Sequence, residues 1–154
     1  MQKCDLVNLL QQSYQNHQLM FSQNNIELSV HFSDQSCVIL GDSNRLNQLF
    51  NNVLSNSMQY TDSGGKTVIQ LSCFDDLVEI RISDSAPSIK TEQLDKIFDR
   101  WYRGEKSRNK NTGGSGLGLS ICSEIIKAHN GEISASHSAL GGIEILIKLP
   151  RSPV

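Results

Sequence analysis

Residues 112–121 read TGGSGLGLSI, from Thr112 to Ile121, and four of the ten are glycine: Gly113, Gly114, Gly116 and Gly118. Ile121, Cys122, Ile125 and Ala128 then recur at helical spacing, which predicts a helix over about 117–129. Glycines running straight into a helix leave backbone N–H groups unpaired at the positive end of its dipole. That combination suits an anion. Without Cβ atoms the chain also lets a phosphate come close. A plain hinge would use the same residues, so the remainder of the chain has to choose. Just upstream, 101–116 are polar, basic and glycine-rich, with Arg103, Lys106, Arg108 and Lys110 and few apolar anchors. They read as a loop.

Outward from this stretch the elements alternate. Asp5 can cap a first helix on which Leu6, Leu9, Leu10, Ser13, His17, Met20 and Phe21 share a stripe. Ile26, Leu28, Val30 and Phe32 alternate with polar residues, the pattern of a half-buried strand. Cys37 to Leu40 is a short apolar run that predicts another strand. Ser43 opens a second helix, with Leu46, Leu49, Phe50, Val53 and Ser57 on one stripe, and TDSGG (Thr61 to Gly65) stops it. Ile69, Leu71 and Cys73, then Val78, Ile80 and Ile82, read as a hairpin. A short helix is expected at Glu92 to Phe98, and the last strand carries Ile143, Ile145, Ile147 and Leu149 on one face. Strands adjacent in sequence are expected to join by tight turns, giving a mixed, mostly antiparallel sheet. About three helices on one face of it make an α+β two-layer sandwich, one domain over 1–154.

Composition narrows the function. A net charge of -2 gives no basic field for nucleic acid or a membrane surface. No apolar run reaches the roughly 18 residues of a membrane span, and no signal-peptide pattern opens the chain. Cys4, Cys37, Cys73 and Cys122 are scattered without CxxC or other metal spacing. The pattern predicts buried free thiols, as in a reducing cytosol. His129 and His137 stand alone and are expected to be structural.

Several motifs are decoys. Gly65-Lys66-Thr67 resembles the end of a phosphate loop, but Tyr60 stands where its first glycine belongs, and the strand and helix come in reversed order. The dinucleotide pattern fails at Leu119. Three features remain. Asn52 and Asn56 lie four apart on one helix face, and a carboxamide oxygen is a hard ligand able to help hold Mg²⁺. Asp84 ends a strand in DSAPSI and could accept a hydrogen bond from an exocyclic amine such as adenine's. The third is TGGSGLGLSI itself. Taken singly, these also fit a solvated helix face, an Asx turn and a hinge.

Together, in this order, they resemble the ATP-binding catalytic domain of bacterial sensor histidine kinases. That domain belongs to the superfamily shared with gyrase, Hsp90 and MutL. The resemblance covers nearly the whole chain. Its N box is similar to Asp42 to Thr61, its G1 box to Asp84 to Ser88, its F box to Ile97 to Arg103 and its G2 box to Gly113 to Leu119. Gly141 to Pro150 matches the usual last strand, and the arrangement is closest to the envelope-stress branch.

The resemblance implies a Bergerat-type fold, ATP and Mg²⁺ as cofactors, and a role for each matched residue. Asn56 would hold the metal, and Asp84 would read adenine N6. Ile89, Phe98, Leu117 and Leu119 would be apolar walls. Tyr60 would lie near the base or ribose, with Tyr102 also in the nucleotide set. Gly114, Ser115, Gly116 and Gly118 would bring backbone donors to the phosphates. Residues 101–116 would be the ATP lid, from which Arg103 could reach the terminal phosphate, with Arg100, Lys106, Arg108 and Lys110 adding basic character. Asn52 would stand where the superfamily's ATP hydrolases carry a glutamate that activates water. An amide is a poor general base, so transfer to a protein acceptor is expected over hydrolysis.

The pattern departs at Ala86 and Ser88, where the family has glycines. It also departs at Gln59, where a cation is frequent, and at Glu144, where Thr or Ser is common. The acceptor histidine is absent, since His17, His31, His129 and His137 lack its motif context. The expected partners are therefore a dimerising phosphoacceptor hairpin of the same parent and, indirectly, a response regulator. No nucleic acid is expected. The domain would be cytoplasmic, on an inner-membrane sensor. Rival readings are a non-catalytic nucleotide-binding module and a serine-directed anti-sigma kinase.

Overall fold

The computed structural model describes residues 1–32, 36–85, 87, 91–94, 96–99 and 116–151, with backbone only for 116–118. Helix α1 spans Leu6–Gln23 and comes after a short strand, β1, at Gln2–Asp5. The Asp5 carboxylate accepts the Val7 N–H at 3.0 Å and the Cys37 N–H at 3.2 Å, which satisfies a helix-end donor and anchors a distant segment. Leu6, Leu10, Ser13, His17 and Phe21 are the buried stripe. Met20, expected on it, is 42% exposed. Phe21 fills the inward position, and a step of one residue turns a helical side chain by about 100°.

Helix α2 spans Ser43–Tyr60, and the Asp42 side chain caps it by accepting the Asn44 and Arg45 N–H groups at 3.1 and 3.2 Å. Leu46, Leu49, Phe50, Val53, Leu54 and Ser57 are buried. Gly64, at φ 89°, closes the turn after it, a backbone region that favours glycine. Lys66 and Thr67 begin a strand and not a helix, so the phosphate-loop resemblance ends there.

Strands β2 (Glu27–Phe32), β4 (Lys66–Cys73), β5 (Leu77–Asp84), β7 (Ile143–Pro150) and β6 (Glu132–His137) form one sheet in the order β2-β4-β5-β7-β6. Strand β3 (Val38–Gly41) pairs instead with β1 in a separate two-stranded sheet. The expected tight-turn pairing thus fails for β2 and β3. The chain reaches β4 only after β3 and α2, and a crossover of that kind delivers a parallel partner, as found for β2 and β4. Strand β1 was not expected. QKCD has one apolar residue and no alternation, so only its partner strand reveals it.

On the inner face Ile69, Leu71, Ile80, Ile82, Ile145 and Ile147 pack with Phe21, Phe50, Val53 and Ile125 of the helices. Helix α3 spans Thr91–Leu94, and α4 spans Gly116–Ala128. The outer face is polar. There Arg81 meets Glu144 at 3.0 Å, and Ser83 Oγ donates to Glu144 at 2.9 Å, so Glu144 has a structural setting away from the helices. His129 is structural, as expected. One ring nitrogen, Nδ1, faces the Ile125 carbonyl at 2.8 Å, and Nε2 accepts the Asp42 N–H at 3.0 Å, fixing the tautomer and joining α4 to the cap of α2.

Two of the four thiols expected to be free are joined: Cys37 and Cys73 form a disulfide, with Cα atoms 6.1 Å apart. The parallel β2–β4 pair carries the end of β4 back toward the start of β3, a consequence of topology that residue spacing does not carry. Cys4 and Cys122 are buried and free. The disulfide spans a sequence separation of 36 residues, so closing it restricts the unfolded chain by about 4 kcal/mol in the loop-entropy model. Reductant, or Cys37→Ser, is expected to lower the melting midpoint by roughly 10 °C. A midpoint that reductant leaves in place contradicts the bond.

Candidate functional site

Helix α2 organises the site, because the other elements meet it on successive turns. Asn52 and Asn56 are half-buried on this helix, as is Tyr60 one turn further on. Ser57, directly after Asn56, points inward and is 5% exposed. Its hydroxyl donates to Asp84 Oδ2 at 3.1 Å, and it lies 2.9 Å from the hydroxyl of Thr67, which is fully buried on β4. The end of β5 is thereby held against α2 at the residue beside Asn56.

Asp84 is 8% exposed, and the first residues of β7 complete its surroundings. Its Oδ1 accepts the Ile143 N–H at 2.8 Å, and its carbonyl accepts the Gly142 N–H at 3.1 Å. A carboxylate this deep is stable only when its oxygens carry donors, and a backbone and a hydroxyl donor supply them. Gly142 is glycine for space: a Cβ there would overlap the Ser85 carbonyl oxygen and Asp84 Oδ1.

Helix α4 lies along the other end of the asparagine face. Cys122, buried at 0% exposure, offers its S–H to the Leu49 carbonyl at 3.7 Å and also meets the Asn52 carboxamide. Burial pushes this thiol up to about 12, although hydrogen bonds with its own backbone and Asn52 favour the thiolate, so at neutral pH it is an inert thiol. Leu119, three residues earlier, is 4% exposed and belongs to the core cluster. Gly116, Leu117 and Gly118 form the first turn of α4, where backbone N–H groups lack helical partners.

The predicted residues thus fall into two sets. Asn52, Asn56, Tyr60, Asp84 and Leu119 gather around α2 and its neighbours, and Phe98 is half-buried against the core. Ile89, Tyr102, Arg103, Gly114 and Ser115 lie outside the described residues, as do Ala86, Ser88, Arg100 and all but Gly116 of the expected lid. The sequence alone did not identify Thr67 and Gly142 as part of the site. Spacing puts Ser57 only on an apolar stripe. A serine on such a stripe is itself the signal, since a buried hydroxyl needs a partner.

The described residues hold no group of three or more His, Cys, Asp or Glu side chains that could bind a metal. The Asn56 carboxamide has no hydrogen bond among the described residues. One uncommitted amide oxygen suits a cation that keeps waters and substrate phosphates as its other ligands, the habit of Mg²⁺.

The chain is similar to known proteins. The family model described as histidine kinase-, DNA gyrase B-, and HSP90-like ATPase matches residues 41–153. The signal transduction histidine-protein kinase BaeS of Escherichia coli strain K12 is 46% identical over 146 residues, which is 95% of this chain and 31% of BaeS. The sensor protein kinase WalK of Staphylococcus haemolyticus strain JCSC1435 is 41% identical over 112 residues, 71% of this chain and 18% of WalK. The chain spans less than a third of the length of these curated relatives. Among solved structures, the catalytic domain of the histidine kinase ThkA superposes with a TM-score of 0.86 at 26% identity, covering 98% of this chain and 95% of that one. The family model covers most of the length, and the chain belongs to the histidine kinase-, DNA gyrase B- and HSP90-like ATPases, in their histidine kinase branch.

Proposed function

We propose that this chain is the catalytic domain of a two-component sensor kinase: it binds Mg²⁺-ATP and transfers the γ-phosphate to a histidine on a separate helical hairpin of its parent. The observation that carries this reading is the Ser57–Asp84 hydrogen bond, which seats the base-reading carboxylate beside Asn56. A single nucleotide can then span both, its adenine amine on Asp84 and its phosphates along the asparagine face toward the first turn of α4.

Each residue has a stated task. Asp84 accepts from adenine N6. Phe98 and Leu119, with Ile89 and Leu117, form apolar walls, and Tyr60 and Tyr102 lie by the base and ribose. Asn56 presents its carboxamide oxygen to Mg²⁺, which when bound neutralises charge on the phosphates. Gly114, Ser115, Gly116 and Gly118 offer backbone donors to the phosphate oxygens, and Arg103 stabilises charge on the transferring group. Asn52 supplies no base, since an amide does not take a proton from water at neutral pH. The γ-phosphate is therefore kept for the acceptor. Catalysis is positioning and charge neutralisation.

The short share of its relatives that the chain covers fits a parent carrying the acceptor hairpin and a membrane sensor, with this domain in the cytoplasm and a response regulator as the final phosphate acceptor. No helix among the described residues is long and apolar enough to cross a membrane. The test is γ-labelled ATP with the parent's hairpin supplied in trans. Label on the hairpin, acid-labile and base-stable, supports the reading; ATP binding without transfer contradicts it. Asn56→Ala is expected to reduce transfer at least about 100-fold and to abolish the Mg²⁺ dependence of ATP binding. Binding that keeps its Mg²⁺ dependence removes Asn56 from the metal.

A further inference from the structure

We infer that Ser57 and Thr67 are positioning residues that set the base specificity of the site by holding Asp84 as a pure acceptor. This rests on the reading of Asp84 as the adenine contact. Three buried polar groups lie in a row: Thr67 Oγ1, Ser57 Oγ and Asp84 Oδ2, separated by 2.9 and 3.1 Å. Their exposures are 0%, 5% and 8%.

Donor counting gives the row a direction. An ionised carboxylate only accepts, so the single hydroxyl proton of Ser57 goes to Asp84. Ser57 has no second proton, so Thr67 must donate to Ser57. The chain runs one way, Thr67 to Ser57 to Asp84, and successive hydrogen bonds of this kind polarise one another in a low-dielectric interior. Oδ1 is fixed independently by the Ile143 N–H. With a protein donor on each oxygen, the carboxylate cannot rotate without breaking one.

The chemical consequence concerns position 6 of a purine. A 6-amino group donates, and Asp84 accepts from it. A 6-keto group accepts, and an ionised carboxylate has no proton to give it. Two acceptors then face each other, unpaired and desolvated. Without the Ser57 donor the carboxylate is less firmly oriented, and both its preference for an amine and its rejection of a keto group decline. Ser57 and Thr67 need not touch the base for this.

Calorimetry with a nucleobase series tests the inference, using Mg²⁺-ATP, Mg²⁺-GTP and the triphosphate of purine riboside, which lacks the 6-amino group. The unaltered chain is expected to favour ATP over the purine riboside compound at least about tenfold. Ser57→Ala is expected to weaken ATP about tenfold, to leave the purine riboside compound where it was, and so to collapse the preference. Thr67→Val should move the same way by a smaller factor, while Thr67→Ser, which keeps the hydroxyl, should match the unaltered chain. Thr67→Val carries the same test should Ser57→Ala not fold. Equal weakening of both nucleotides by either variant, or no weakening of either, overturns the inference while the role of Asp84 stands. An unaltered chain that binds both compounds alike overturns the adenine contact itself, and this inference with it.

Discussion

Replacing Gly142 with alanine is expected to abolish measurable ATP binding and to cost about 3 kcal/mol of stability, the scale of overpacking in a filled interior. The added methyl has nowhere to go. It would overlap the Ser85 carbonyl oxygen and Asp84 Oδ1. Neither neighbour can give way cheaply. Asp84 is held by Ser57 and by the Ile143 N–H, and its carbonyl carries the Gly142 N–H. Ser85 donates its backbone N–H to Lys66 at 3.0 Å and accepts the Lys66 N–H on its hydroxyl at 2.9 Å. The first residues of β7 would have to peel from β5, breaking the Ser83–Glu144 register and turning the Asp84 carboxylate. Thermal melts and ATP calorimetry on Gly142→Ala check this, with Leu140→Ala as the neighbouring control. A variant that binds ATP like the unaltered chain contradicts the packing described around Asp84.

Asp84→Asn is expected to lower ATP affinity by about 100-fold or more while leaving the fold intact. The change is nearly isosteric, so packing is spared. An asparagine has one acceptor oxygen where the carboxylate had two, and the Ser57 hydroxyl and Ile143 N–H already occupy both. The amide nitrogen now points donors at groups that are donors themselves, either the serine hydroxyl or the adenine amine. Each such clash leaves a buried polar group unpaired. GTP, whose 6-keto oxygen is an acceptor, should lose less than ATP. Calorimetry with both nucleotides reads the difference, and an ATP affinity that falls less than about tenfold contradicts the adenine contact.

Much of this site was legible in the chain because its chemistry is local. Asn52 and Asn56 share a helix face by spacing, Asp84 ends an alternating strand, and the glycines of 113–118 precede an apolar helix. Each of these signals lies within one element. Pairing between elements was not legible. Ser57 meets Asp84 across 27 residues, and Ile143 meets it across 59, so no window of sequence shows either contact. The Cys37–Cys73 bond has the same cause: parallel pairing of β2 with β4 brings the cysteines together. Strand β1 exists only because β3 is there to pair with it. Met20 failed for a smaller reason, being one residue from the inward position on a helix whose stripe is narrow.

The central claim is that one purine triphosphate, with its metal, lies along the asparagine face of α2 between Asp84 and the start of α4. Backbone amide shifts of isotope-labelled protein, recorded by NMR as Mg²⁺-bound non-hydrolysable ATP is added, locate it directly. Saturable shifts at Asn52, Asn56, Ser57, Tyr60, Asp84, Ile143 and Leu119 are the predicted result. Shifts confined to the outer face of the sheet, at Arg81, Glu144 and Lys148, or none at millimolar nucleotide, would contradict it.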